Sequence, residues 1–232
     1  MSSAPRWFNA LGKAYNDVEK SSIYQLATTD SFDKPHVRSH VHRAFLTPPS
    51  YLAIPLLLTT TDVRSPKVAQ IAYSNTVELS WWIEGSSDQF RITGRARVIP
   101  APEYAPKLVS ANDDGCTAIA SLDKESFNWE AKRQEVFENI SRHIRAGFCA
   151  PVPGSVLNGG YDEQNDWVDT VENQRDARTD EEKKNTAKAF GNFALIVIEP
   201  FEVDWVQMGV TPNRRTRFRR EGDAWEEQVI VP

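Results

Sequence analysis

Thr59-Thr60-Thr61-Asp62-Val63-Arg64-Ser65-Pro66-Lys67-Val68-Ala69-Gln70 joins two segments of different periodicity. An apolar run from Tyr51 to Leu58 enters it and reads as a buried strand. Val68, Ile71 and Ala72 leave it at helical spacing. Ser65 suits a helix N-cap, and Pro66 suits the first helical position, where a missing N–H is no loss. The expected junction is a strand, a hydroxyl-rich turn and a helix N-terminus. Free backbone N–H groups and the helix dipole converge there, and Arg64 and Lys67 add positive charge, which together describe a phosphate site. Taken alone, the stretch also fits an ordinary capped helix with exposed basic residues, the commoner outcome for so short a motif. It lacks the Gly-x-x-x-x-Gly-Lys pattern of a P-loop.

Upstream, residues 7–20 space Trp7, Phe8, Leu11, Tyr15 and Val18 along one helical face. Ile23 to Thr29 reads as a strand, and Asp30 to Pro35 as a turn. His36 to Phe45 reads as a second strand. Its period of two puts Val37, Ser39, Val41, Arg43 and Phe45 on one face and His36, Arg38, His40 and His42 on the other. A metal site on His40-Val41-His42 lacks a third ligand at a suggestive spacing, and Arg38 would repel a cation. A polar strand facing an anionic cofactor is the better functional reading, and a solvated outer strand face is its plain rival.

Downstream, Asn75 is a C-cap candidate, and Val77 to Glu84 a strand carrying Trp81 and Trp82. Gln89 to Ile99 alternates cleanly, with Gly94 marking a bulge or a close backbone approach. Helices are expected over 101–110 and from Ser126 to Ala146, and a polar, partly mobile loop over 158–186. Phe193 to Ile198 reads as an apolar strand broken at Glu199-Pro200, and Phe201 to Met208 as another. Arg214 to Arg220 as a strand aligns Arg215, Arg217 and Arg219 on one face, a local concentration of guanidinium suited to phosphate or carboxylate. Trp225 to Val231 closes the pattern. Rapid succession of strands around one short helix predicts a mainly β fold. The expectation is one antiparallel β-barrel with peripheral helices over residues 1–232, with 101–192 as a helical and loop excursion.

The formal net charge of −5 argues against non-specific nucleic-acid binding, and no RNA-reading aromatic motif accompanies the arginines. Cys116 and Cys149 form neither a disulfide framework nor a spaced metal motif. No apolar leader core or membrane-spanning run is present, so a cytoplasmic protein without membrane attachment is expected.

Four segments together resemble the pyridoxamine 5′-phosphate oxidase-like family of FMN-binding split β-barrels, in a divergent branch. They are Arg38-Ser39-His40-Val41-His42-Arg43, Thr60 to Lys67, Gln89-Phe90-Arg91-Ile92-Thr93-Gly94-Arg95-Ala96, and Arg217-Phe218 followed by Ala224-Trp225. The likeness is good over residues 20–100, fair over 193–232 and poor between. It implies a homodimer with FMN in a cleft at the interface. By position, Arg38 and Lys67 would hold the FMN phosphate with Ser65 and Arg64. Thr60 and Thr61 would add hydroxyl and backbone contacts. Ser39, His40 and Val41 would line the flavin, Gln89 would reach its edge, and Arg217 would approach from the partner subunit. His40 and His42 are candidates for general acid or base.

The departures bear on the substrate. Arg43 stands where the family's oxidases carry a substrate-phosphate lysine, and Pro66 where they carry a second FMN arginine. Gln207 falls at the position of their flavin-packing Trp, and Asn213-Arg214-Arg215 replaces their Arg-x-His pair. FMN-dependent oxidoreduction of an unidentified small molecule is therefore the leading expectation. A genuine pyridoxamine or pyridoxine phosphate oxidase, with Arg43 and Arg215 on the substrate, is the next. A non-catalytic flavin binder and a haem-handling or cofactor-free barrel are the remaining alternatives.

Overall fold

The computed structural model describes residues 3–17, 22–105 and 115–232. Its frame is a nine-stranded antiparallel sheet. The strands are β1 (Ile23–Thr29), β2 (Pro35–Val41), β3 (Ala44–Leu46), β4 (Leu56–Asp62), β5 (Thr76–Ile83), β6 (Asp88–Ile99), β7 (Phe193–Gln207), β8 (Arg214–Glu221) and β9 (Ala224–Val229). The spatial order is β2-β1-β5-β6-β7-β4-β3, with β8 on β7 and β9 on β8. The chain passes directly from β2 at one end of this order to β3 at the other. Arg43 N–H donates to Leu58 O, and the Thr59 hydroxyl donates to Val41 O. The sheet therefore curls back on itself into a barrel.

β7 is where the barrel splits. From Leu195 to Gln207 it pairs with β6; its other edge pairs with β4 through Phe193–Ile198 and with β8 through Glu202–Gln207. Ile196, Ile198 and Val203 point into the barrel with Trp7, Tyr24 and Trp81. Phe193, Leu195 and Val197 point the other way, into a second core with Phe137 and Ile119. A strand buried on both faces reads as an unbroken apolar run rather than an alternation, and Phe193 to Ile198 is such a run.

The outer layer consists of α3 (Thr117–Lys124), α4 (Trp129–Asn139), α5 (Arg142–Gly147) and α6 (Asp180–Asn192). These helices cover β4 and β7. On the barrel side, α1 (Arg6–Asp17) buries Trp7 and Leu11, and α2 (Pro66–Tyr73) packs on β1.

Several expected boundaries move, each for a local reason. Tyr51 to Pro55 is turn, not strand, because Pro48 and Pro55 interrupt pairing; the strand runs on to Asp62 and takes the three threonines with it. The His36–Phe45 strand breaks at His42 and Arg43, where the chain crosses from β2 to β3. Glu199-Pro200 does not end β7: the lost N–H falls at a register shift beside Thr93 and Gly94. A Cβ at Gly94 would lie 2.7 Å from Glu199 O, so the close backbone approach needs glycine. The helix expected from Ser126 to Ala146 is two, because Ile140 is extended and Ser141 caps a new helix through Ile144 N–H. The polar stretch over 158–186 ends in α6, opened by a capping box between Thr179 and Glu182. The C-cap of α2 is Ser74 rather than Asn75. Residues 101–105 form turns, and the rest of the helix expected over 101–110 lies outside the described residues, as does the end of the 7–20 helix.

Candidate functional site

Strand alternation on β4 sends Thr61 to the barrel side and Thr60 to the opposite face. One turn later α2 begins. Ser65 stands at its N-cap in extended conformation, yet its hydroxyl makes no capping bond. That hydroxyl instead lies 3.0 Å from Thr61 Oγ1. Lys67 Nζ donates to both, at 3.1 Å to Thr61 Oγ1 and 3.2 Å to Ser65 Oγ. Burial and the nearby Arg38 charge hold the Lys67 ammonium below its ordinary value.

Arg38 arrives from β2. Its Nη1 donates to Leu26 O at 3.1 Å and to Thr28 Oγ1 at 2.7 Å, and its Nη2 to Gln70 Oε1 at 2.9 Å. Burial lowers its pKa, and a guanidinium stays protonated all the same. Two cations thus face each other with only neutral oxygens bonded to them among the described residues. The nearby carboxylate, Asp62, is committed elsewhere: it binds Arg64 through Nε at 2.9 Å and Nη2 at 2.6 Å, and accepts the Arg64 backbone N–H. Arg64 also reaches Phe148 O. Its charge is therefore compensated by a bonded carboxylate, whereas among the described residues Arg38 and Lys67 have none, and Asp62 acts on Lys67 only through space.

His40 sits behind this cluster and is buried. The Thr59 hydroxyl spends its proton on Val41 O, so it accepts from His40 Nδ1–H at 3.1 Å. That fixes the tautomer and leaves Nε2 as a buried acceptor without a partner among the described residues. His42 lies among Tyr15, Phe45 and Trp81, with both ring nitrogens unpartnered among the described residues. Burial first, then the charges of Lys67 and Arg38, pushes His40 down to about 3; burial and Arg43 do the same to His42. Both are neutral at pH 7, so the expectation of near-neutral acid–base groups on a ligand face is corrected. Their face of the strand is the barrel interior.

The other expected residues fall elsewhere. Ser39 is on the outer face of β2, 3.4 Å from Gln25 Nε2. Gln89 is on the outer face of β6, with Nε2 3.4 Å from Ser80 Oγ. Val41 shares the outer face of β2 with Ser39. Arg217 is on β8, 3.9 Å from Glu202, and Arg215 is held by three bonds to Asp204, which also binds Arg91. Arg43 is half-buried with Nε unpartnered among the described residues. Trp205 packs inside the barrel on Phe90 and donates to Asp88. Sequence reasoning missed Thr28 and Gln70. Gln70 stands three residues after Lys67, on the same side of α2, and that spacing was the available signal.

The donor set suits a phosphate. It combines two cations without a bonded carboxylate, two hydroxyls and a helix N-terminus whose cap oxygen is not spent on the helix. In agreement, residues 4–100 match the family model described as pyridoxamine 5′-phosphate oxidase, FMN-binding domain. Pyridoxine/pyridoxamine 5′-phosphate oxidase 2 of Arabidopsis thaliana is 25% identical over 206 residues, 89% of this chain and 82% of the relative. A pyridoxamine 5′-phosphate oxidase-related, FMN-binding protein of Nostoc punctiforme PCC 73102 superposes with a TM-score of 0.66 at 23% identity, covering all of both chains. PhzG of Burkholderia lata 383 superposes with a TM-score of 0.59 at 13% identity, covering 98% of this chain and 89% of that one. Residues 4–100 thus match the FMN-binding domain of the pyridoxamine 5′-phosphate oxidases, and the chain has the split-barrel fold of these structural neighbours.

Proposed function

We propose that this protein is an FMN-dependent oxidoreductase acting on a small molecule. The observation that carries the reading is the pairing of Arg38 and Lys67, free of bonded carboxylates, at the hydroxyl-lined N-terminus of α2. Arg38, Lys67, Ser65 and Thr61 hold the phosphate, and Arg64 keeps the turn in shape through Asp62. Backbone groups at Thr60 and the outer-face residues Ser39, Val41 and Gln89 meet the rest of the nucleotide. When bound, FMN supplies the redox chemistry, and the protein supplies position and electrostatics. His40 acts as a fixed neutral acceptor behind the phosphate end rather than as a titrating acid.

The Arg217 side of the site belongs to a second copy in this reading. Support comes from the exposure of Ile23 (54%) and Val37 (69%) on the outer face of β1 and β2, at an open sheet edge. A homodimer would bury them. Among the described residues no helix is long and apolar enough to cross a membrane.

The similarity to the Arabidopsis protein favours a second reading, oxidation of a pyridoxine or pyridoxamine phosphate, with Arg43 as a substrate-phosphate ligand. Arg215 is a poorer candidate, since Asp204 compensates its charge. Two assays separate the readings. The purified protein should be yellow and release FMN on denaturation. Hydrogen peroxide formed with pyridoxamine phosphate would select the phosphate oxidase; flavin reduction by NAD(P)H without it would select another oxidoreductase. A colourless protein that takes up no FMN contradicts both.

A further inference from the structure

Arg38 does not stand alone in its site. Its guanidinium closes a ring with two buried side chains. Nη1–H donates to Thr28 Oγ1 at 2.7 Å, the Thr28 hydroxyl donates to Gln70 Oε1 at 2.6 Å, and Nη2–H donates to the same Gln70 oxygen at 2.9 Å. Because arginine only donates, the Gln70 amide must present its oxygen, so the orientation of every member is determined. Thr28 is 2% exposed and Gln70 8%. Three elements meet in this ring: Arg38 from β2, Thr28 from β1, and Gln70 from α2, one helical turn beyond Lys67.

The chemistry of the ring is selective. An arginine withdrawn from water, as the half-buried Arg38 is, is ordinarily met by a carboxylate, which would orient it and cancel its charge. Here an amide and a hydroxyl orient it and leave the charge intact. The Nε–H and the second Nη2–H carry no partner among the described residues. We infer that Thr28 and Gln70 are positioning residues that aim an uncompensated Arg38 at the phosphate of the bound nucleotide, and so set the preference for a phosphorylated flavin over an unphosphorylated one. This inference rests on the FMN reading of the site.

The test measures dissociation constants of FMN and riboflavin by flavin fluorescence quenching, on apo-protein shown by circular dichroism to be folded. Gln70→Glu pairs with Arg38 and removes its charge from the site. It should weaken FMN on the order of a hundredfold, the upper end for loss of a charge-assisted contact, with riboflavin unchanged. Gln70→Met and Thr28→Val, which remove one anchor each, should weaken FMN by roughly tenfold. Thr28→Ser, which keeps the hydroxyl, should restore binding. Lys67→Ala is the control for the site itself. If it weakens FMN while the Thr28 and Gln70 variants bind FMN as the unmodified protein does, the positioning role is overturned and the FMN site stands. If Gln70→Glu lowers riboflavin and FMN affinity equally, the role in phosphate selection is overturned. If Lys67→Ala is also without effect, the phosphate site falls, and the positioning role with it.

Discussion

Arg38 and Lys67 are legible in the sequence as candidate phosphate cations, and the structure brings both to the N-terminal side of α2, but which charges meet a carboxylate is not legible. Sequence spacing places charge without telling which charges are compensated. Arg64 looks equivalent to Lys67 in the sequence, yet it is bound to Asp62 two residues away. The Arg38→Ala, Lys67→Ala double variant should therefore lose most FMN affinity, about 1.5–3 kcal/mol for each charge-assisted contact. Arg64→Ala should act chiefly on the local fold, lowering the melting temperature more than the affinity. Titration of FMN into each variant, alongside a melt, checks both statements. The histidines carry a pH consequence. An unfolded histidine titrates near 6.5, whereas His40 and His42 are held down to about 3, so the unfolded chain binds more protons between those values. Stability is complete above pH 6.5 and falls as the pH falls toward 3. The slope from the two is about 2.7 kcal/mol per pH unit at most, 1.36 for each. Denaturant melts between pH 4.5 and 6 should show it, and a His42→Gln variant should lose about half.

At the scale of elements, strands β1, β2, β5 and β6 could be read from alternation because each has one buried face and one outer face. β7 could not be read as one strand, because a proline stood in its middle. What tolerates Pro200 is the bulge, and the bulge depends on Gly94 lying against Glu199 O. Glu199 then does a second job. Fully buried, it accepts the backbone N–H groups of Thr117, Ala118 and Ile119 at the start of α3 and binds Arg220 of β8. It ties the outer helices to the barrel at the point where β7 changes partners. Glu199→Ala leaves those N–H groups and Arg220 without their acceptor and should cost about 3–5 kcal/mol in urea unfolding. A loss under about 1 kcal/mol, the scale of a surface pair, would show the tie to be incidental. No sequence pattern announces such a link, since its partners are about eighty residues apart.

For the whole molecule, the β character of the barrel is legible because its strands are antiparallel and alternate, whereas the pairings of β1 with β5 and of β4 with β7 join strands far apart in the chain and leave no local signal. The outer helical layer was less so. α6 buries only Thr186, Ala189 and Asn192 among charged neighbours, which leaves little apolar periodicity to detect. The exposed face around Val37 bears on assembly. Val37→Glu should shift a homodimer toward monomer in sedimentation and lower FMN affinity with it, because Arg217 would then be lost from the site. An unchanged mass would remove that face from the interface.

The most direct test of the phosphate-anchored site is a comparison of FMN with riboflavin on the same apo-protein by fluorescence quenching. In the proposed site Arg38, Lys67, Ser65 and Thr61 meet only the phosphate, so FMN should bind at least about a hundredfold tighter, the equivalent of one or two charge-assisted contacts, and the advantage should shrink in the Lys67→Ala variant. Equal affinity for the two flavins, or no binding of either, would contradict the account.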